Sequence, residues 1–205
     1  MKVVAVSDTH MRHEEIAVPD GDLLIHAGDF CSFGTVDELE AFSSWFGALS
    51  HQHKVVIAGN HERCIQDNPA CVSLLPKDCI YLQDAATEIE GVKLYGSPWQ
   101  PEFENWAFNL PIGEPLRQVW ERIPADADIL VTHTPPYGIL DVIRGGHVGC
   151  EELLAAVQRI KPKYNIFGHV HECPGIERRN ETTFINVAMC DEHYELRCTP
   201  MVFDY

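Results

Sequence analysis

The sequence predicts an α/β domain of layered sheets flanked by helices. Short β-branched apolar runs of strand length recur along the chain, and several are separated by apolar stripes at helical spacing. The composition is that of an ordinary folded protein, with 45% apolar and 22% charged residues, so disorder is excluded as the main state. At 205 residues one domain over 1–205 is expected, large enough to bury roughly 70% of its unfolded surface.

The strand-like runs are 3–6, 22–27, 55–58, 80–82, 129–132, 165–167, 183–187 and 201–203. Residues 88–89 and 92–95 flank Glu90-Gly91 and read as a hairpin. Thr35-Val36-Asp37-Glu38 is a capping box, because the Thr hydroxyl and the Glu carboxylate can each satisfy an orphan N–H. The helix it starts carries Leu39, Phe42, Phe46 and Leu49 as its apolar stripe. A second helix is predicted from Pro115, with Leu116, Val119, Trp120 and Ile123 facing inward. A third spans 151–160 with Leu153, Leu154, Val157 and Ile160, and ends before Pro162. Residues 96–113 form a long irregular stretch containing Trp99, Phe103, Trp106 and Phe108. Loops of that length are often functional.

Lys and Arg total 15 against 31 Asp and Glu, a formal net charge of −16. That balance argues against a long nucleic acid or an anionic membrane as partner. Neither a signal-peptide pattern nor a membrane-length apolar run occurs, so a soluble, cytoplasmic protein is expected. The eight cysteines form no C-x-x-C pair and read as free thiols. Cys64 is the one closest to a functional-looking motif.

The polar residues that end the strands carry the chemistry. Asp8-Thr9-His10 follows the first strand, Gly28-Asp29 the second, and Gly59-Asn60-His61-Glu62 the third. His133 ends the run at 129–132, and Gly168-His169-Val170-His171 follows 165–167. Ligand sites in open α/β sheets lie beyond the carboxyl ends of strands. Asp and His are O and N donors suited to divalent metals, and a carboxylate can bridge two ions. In extended chain Asp8/His10 and His169/His171 would each point alike, and the glycines before Asp29, Asn60 and His169 would permit sharp turns. Any one of these motifs alone reads as an ordinary turn or a capped histidine; their joint order does not. His13, His26, His51, His53, His147 and His193 read as structural or solvated. His26 lies within a strand, while His51 and His53 are placed to complement a helix C-terminus. No G-x-S-x-G, P-loop, H-E-x-x-H or G-x-G-x-x-G is present.

In this order the motifs resemble those of the calcineurin-like metallophosphoesterase superfamily. His26–Phe30, 56–62, 79–84, 95–99, 108–111 and 148–150 resemble its branch of metallophosphoesterase-domain-containing, cyclic-nucleotide-phosphodiesterase-like proteins. The resemblance implies a four-layer α/β/β/α sandwich. It implies one metal on Asp8, His10, Asp29 and His171, and a second on Asp29, Asn60, His133 and His169. It implies His61 as the group assisting the leaving alkoxide. Some members of the branch have Gly where this chain has His169, so the ligand set here is complete. Two divalent ions are therefore expected: manganese or iron, with zinc, nickel and cobalt as the other candidates.

The expected function is hydrolysis of small phosphodiesters, cyclic nucleotides among them, by a metal-bridged hydroxide. Two divalent ions outweigh the charge of Asp8, Asp29 and that hydroxide, so the site is locally positive despite the acidic chain. Arg144 and the Trp99–Trp106 loop are candidates for substrate contact, with a solvated loop and simple packing as their default readings. The rival functions are a phosphomonoesterase, a protein phosphatase and a scaffold that keeps the fold without chemistry. Protein phosphatases carry an Arg shortly after Gly-Asp, and 28–34 has none.

Overall fold

The computed structural model describes residues 1–205. Along the chain run β1 (Lys2–Val6), β2 (Leu23–His26), α1 (Val36–Ala48), β3 (His53–Val56), α2 (Arg63–Asp67), β4 (Cys79–Tyr81), β5 (Ala85–Ile89), β6 (Val92–Ser97), β7 (Gln100–Pro101) and β8 (Asn109–Leu110). There follow α3 (Glu114–Glu121), β9 (Ile129–Thr132), β10 (Val142–Ile143), β11 (Gly146–His147), α4 (Glu151–Ile160), β12 (Tyr164–Phe167), β13 (Gly175–Arg179), β14 (Thr182–Asn186) and β15 (Met201–Asp204).

Two large sheets result. The first has the order β15-β1-β2-β3-β4, parallel except for β15. The second has the order β13-β14-β12-β9-β6-β5, parallel at its centre with antiparallel edges. Alternation along each strand splits its side chains between two faces. Val3, Ala5, Leu23, Ile25 and Val55 of the first sheet meet Leu94, Ile129, Val131, Ile166 and Ile185 of the second. The opposite face of the first sheet, with Val4, Leu24 and Val56, packs on Leu39, Phe42 and Phe46 of α1. The opposite face of the second, with Tyr95, Leu130, Phe167 and Phe184, packs on α3 and α4 through Leu116, Trp120, Leu153 and Val157. Helix, sheet, sheet and helix form the four layers that the resemblance implies.

The local signals explain the elements. Thr35 and Glu38 form the reciprocal capping box at the start of α1. Leu49 caps the far end of α1 instead of lying within it. Pro115 sits in the first turn of α3, and Ile123 packs just beyond the helix's end. The 85–97 hairpin turns at Glu90 and Gly91, with φ of 51° and 82°. The segment 96–113 is less irregular than its sequence suggests, because β7 and β8 pair within it. All eight cysteines are free thiols, five of them buried. No helix is long and apolar enough to cross a membrane.

Candidate metal centre

Five parallel strands, from both sheets, end on one rim. Asp8 and His10 follow β1, Asp29 follows β2, and Asn60 and His61 follow β3. His133 follows β9, and His169 and His171 follow β12. Backbone hydrogen bonds tie these ends together: Ser7 N–H to Val187 O at 3.0 Å across the sandwich, Asp8 N–H to Gly28 O at 2.9 Å within the first sheet, and Gly168 N–H to His133 O at 3.1 Å within the second. The donor atoms fall into three groups, Asp8–His10–His171, His10–Asp29–His61 and Asp29–His133–His169, each within 4.8 Å. Asn60 Oδ1 joins the last, 2.9 Å from both His133 Nε2 and His169 Nδ1. All eight sequence-predicted site residues are therefore brought together.

The route by which they converge differs from extended chain. Asp8, His10, Asp29 and His169 have φ of 52°, 40°, 56° and 68°. Left-handed turns just past the strand ends swing their side chains inward. Such backbone costs a non-glycine residue roughly 1–3 kcal/mol, so strain is concentrated at these positions. Gly28, with φ of 97°, supplies the expected turn. Gly59 and Gly168 instead supply space. A Cβ on Gly59 would fall 2.6 Å from His133 Cε1, and one on Gly168 would overlap the Asp8 carboxylate and the Ser7 hydroxyl.

The donor set fits divalent metal. His10, His133 and His171 each place Nδ1 against a backbone carbonyl: Cys31 at 3.2 Å, Ala27 at 2.9 Å and Asp191 at 2.9 Å. Those contacts set the tautomer and leave Nε2 facing the cluster, the arrangement expected of metal-ligating imidazoles. The charges of the protein groups pair within the cluster. Burial would raise the Asp8 and Asp29 carboxyls, but the His171 hydrogen bond at Asp8 and the His133 charge at Asp29 hold both well below the usual range. Burial would likewise lower His133 and His171, yet Asp29 and Asp8 respectively push each up to about 9. Burial prevails at His10 and His169, which fall to about 4 and about 3.

Glu62 is part of the third motif, but the sequence offered no role for it. It is fully buried, and its carboxylate accepts N–H bonds from Asp29 and Cys31, both at 2.9 Å, and from Gly59 at 2.5 Å. It clamps the loop after β2 to the loop after β3. Tyr194 and Asp191 were also missed, because the 190–198 loop carries no motif. The Tyr194 ring lies 4.7 Å from that of His10, and Asp191 supplies the carbonyl at His171. Trp106 packs its ring 4.2 Å from His61. Trp99 is structural, donating to Asp84 at 2.9 Å and packing edge-on against Phe108.

A cavity of about 370 Å³ opens over the cluster; Trp106, Tyr194, Glu104, Glu172 and Glu192 line it, and no Lys or Arg does. Arg144 is exposed at the β10–β11 tip, outside that lining. His26 is structural as expected, with Nε2 3.2 Å from Thr9 Oγ1. His51 and His53 depart from their expected place at a helix end. His51 bonds the Pro19 carbonyl at 2.9 Å, and His53 lies 3.5 Å from Glu90, because the turn after α1 already leads into β3.

The family model described as calcineurin-like phosphoesterase matches residues 1–173. The chain belongs to that family. Among relatives of this calcineurin-like phosphoesterase, human metallophosphoesterase domain-containing protein 1 is 41% identical over 229 residues, covering 99% of this chain and 70% of its own length. UPF0046 protein C25E10.12 of Caenorhabditis elegans is 40% identical over 227 residues, covering 100% of this chain and 80% of its own. The crystal structure of TT1561 of Thermus thermophilus has a TM-score of 0.60 at 14% identity, with 90% of this chain and 88% of that one covered, a likeness of fold. The family's chemistry is phosphoester hydrolysis with divalent metals, and the Asp/His clusters offer the donors for it.

Proposed function

We propose that this domain, spanning 1–205, hydrolyses small phosphodiesters, cyclic nucleotides among them, at a two-metal centre. Asp8, His10, Asp29 and His171 would hold one ion, and Asp29, Asn60, His133 and His169 the other. The observation that carries this reading is the position of Asp29. Its Oδ2 lies 3.3 Å from His133 Nε2, 3.9 Å from His61 Nε2 and 4.0 Å from His10 Nε2, where the donor groups meet. The all-O/N donor set suits manganese, iron or zinc.

Divalent ions bound there supply the positive charge that activates water and offsets charge developing on phosphate. The protein's own groups supply position and protons. The His61 Nδ1–H donates to the Ser32 carbonyl at 2.6 Å, which fixes the ring and leaves Nε2 toward the cluster. In its doubly protonated form the ring would give the Nε2 proton to the departing alkoxide and keep the Nδ1–H on Ser32. Trp106 and Tyr194 shield that ring from bulk water.

The test is metal analysis together with turnover of bis(4-nitrophenyl) phosphate, of 3′,5′- and 2′,3′-cyclic nucleotides and of 4-nitrophenyl phosphate. Metal-dependent turnover of the diesters above the monoester is expected. A monoester preference would replace the diester reading. No turnover by fully metal-loaded protein would leave the fold as a scaffold.

A further inference from the structure

A second cavity, of about 340 Å³, opens beside the centre, and Phe103 and His169 line both. Its remaining walls are largely apolar: Pro101, Ile112, Ile143, Val148 and Val170, with Glu102 as the only carboxylate. That volume lies in the range of small-ligand pockets, roughly 300–1,000 Å³. Ile112 is 72% exposed and Phe103 55%. Large apolar side chains kept in water around a concavity, next to a polar centre, mark a place that takes up an apolar group.

The walls are anchored. Asp141 is fully buried and accepts N–H bonds from Gly138 at 2.8 Å and Gly149 at 2.9 Å, while His147 Nδ1 lies 2.6 Å away. These contacts fix the β10–β11 hairpin that carries Ile143 and leads into Val148. On the other wall, Glu102 N–H bonds Leu110 O at 2.9 Å, and Gly113 N–H bonds Glu152 at 2.7 Å, on either side of Ile112.

Charge narrows the occupant. A phosphodiester carries one negative charge at its phosphorus. Neither cavity is lined by Lys or Arg, and Glu102, Glu104, Glu172 and Glu192 line the two. A further anionic group on the substrate would meet carboxylates without a cationic partner. The substituent beside His169 therefore carries no further negative charge, and the apolar lining there favours a neutral group over a cationic one.

We propose that the groove beside His169 takes an uncharged aryl or alkyl substituent on the retained ester arm of the phosphodiester, with Ile112 and Ile143 setting specificity. The inference rests on the phosphodiesterase reading above.

The experiment compares phenyl 4-nitrophenyl phosphate with methyl 4-nitrophenyl phosphate on metal-loaded protein. It adds calorimetric binding of methyl(phenyl)phosphinate against dimethylphosphinate, monoanionic like the diester and with P–C bonds that resist hydrolysis. The wild type should favour the phenyl compound in both. In the Ile112→Ser/Ile143→Ser variant the phenyl-to-methyl ratio should fall by about tenfold or more, chiefly through KM. Serine is used because an added carboxylate would repel either ester. Ile112→Ser alone, at an exposed position, carries the comparison if the double variant melts early. An unchanged ratio in the variants, or equal binding of the two phosphinates by the wild type, overturns the groove assignment while leaving phosphodiester turnover intact. Absence of turnover of either ester overturns the phosphodiesterase reading instead, and this inference with it.

Discussion

Glu62→Ala removes the clamp between two of the loops that carry the centre. Three buried N–H groups, of Asp29, Cys31 and Gly59, lose their acceptor. An orphaned buried donor costs about 1–3 kcal/mol, and partial relaxation brings the expected total to about 3–5 kcal/mol. In a domain of this size each kcal/mol moves Tm by about 2–4 °C, so a drop of roughly 6–20 °C is expected. Glu62→Gln separates hydrogen bonding from shape. Its amide oxygen can replace Oε2, which serves Asp29 and Gly59, but its NH2 then faces the Cys31 N–H. Its loss should be about 1–3 kcal/mol, between wild type and Ala. The clamp also holds Asp29 in its left-handed turn, so metal affinity should fall in the same order. Urea denaturation of metal-free protein and calorimetric metal titration read the two effects. A Glu62→Ala protein as stable as wild type would refute the bookkeeping. Lost stability with unchanged metal affinity would refute the positioning argument.

His61→Ala should lower kcat by about 10²–10⁴-fold with metal content unchanged by elemental analysis; loss of the bound metal would contradict its role. Gly168→Ala should weaken metal binding and cost about 1–3 kcal/mol, because its Cβ overlaps Asp8 and Ser7; unaltered metal stoichiometry and Tm would contradict the packing reading. His133 and His171 are raised to about 9 in the metal-free protein, so loading metal at pH 7 must displace their protons. Apparent metal affinity should rise with pH toward 9, with proton release seen as a buffer-dependent calorimetric enthalpy. In metal-free protein the same two groups contribute stability that is complete below about pH 6.5 and lost as pH rises through 9. A metal-free Tm that increases across that window would contradict the pairing.

The parts of the fold legible in the sequence are those set by local chemistry. Thr35 and Glu38 announce α1, Pro115 announces the start of α3, and Glu90-Gly91 announces the β5–β6 turn. The gathering of Asp8, Asp29, Asn60, His133 and His169 was legible because each ends a strand, and parallel strands share a carboxyl end. What was not legible depends on distant chain. The β7–β8 ladder has two residues per strand and no periodicity to detect. Tyr194 reaches His10 only because Ser7 bridges Ala188 and carries the following loop over the rim. Glu62 was visible in its motif, but a carboxylate that accepts three N–H groups cannot be told from a metal ligand until its partners are placed.

The net charge of −16 says less about substrate choice than four carboxylates do. Charges on the far surface are screened beyond about 8 Å at physiological salt. Glu102, Glu104, Glu172 and Glu192 line the centre and the groove themselves, where screening is incomplete. Divalent metal bound at the centre would attract any phosphate, so it cannot by itself separate a substrate with one phosphate from a polyphosphate. These carboxylates can, because each anionic oxygen beyond the reacting phosphate meets them, and neither cavity is lined by Lys or Arg. Selection against further negative charge is therefore a local property of the cavity walls, and under the proposed phosphodiesterase function it leaves the choice among monoanionic diesters to the proposed apolar groove.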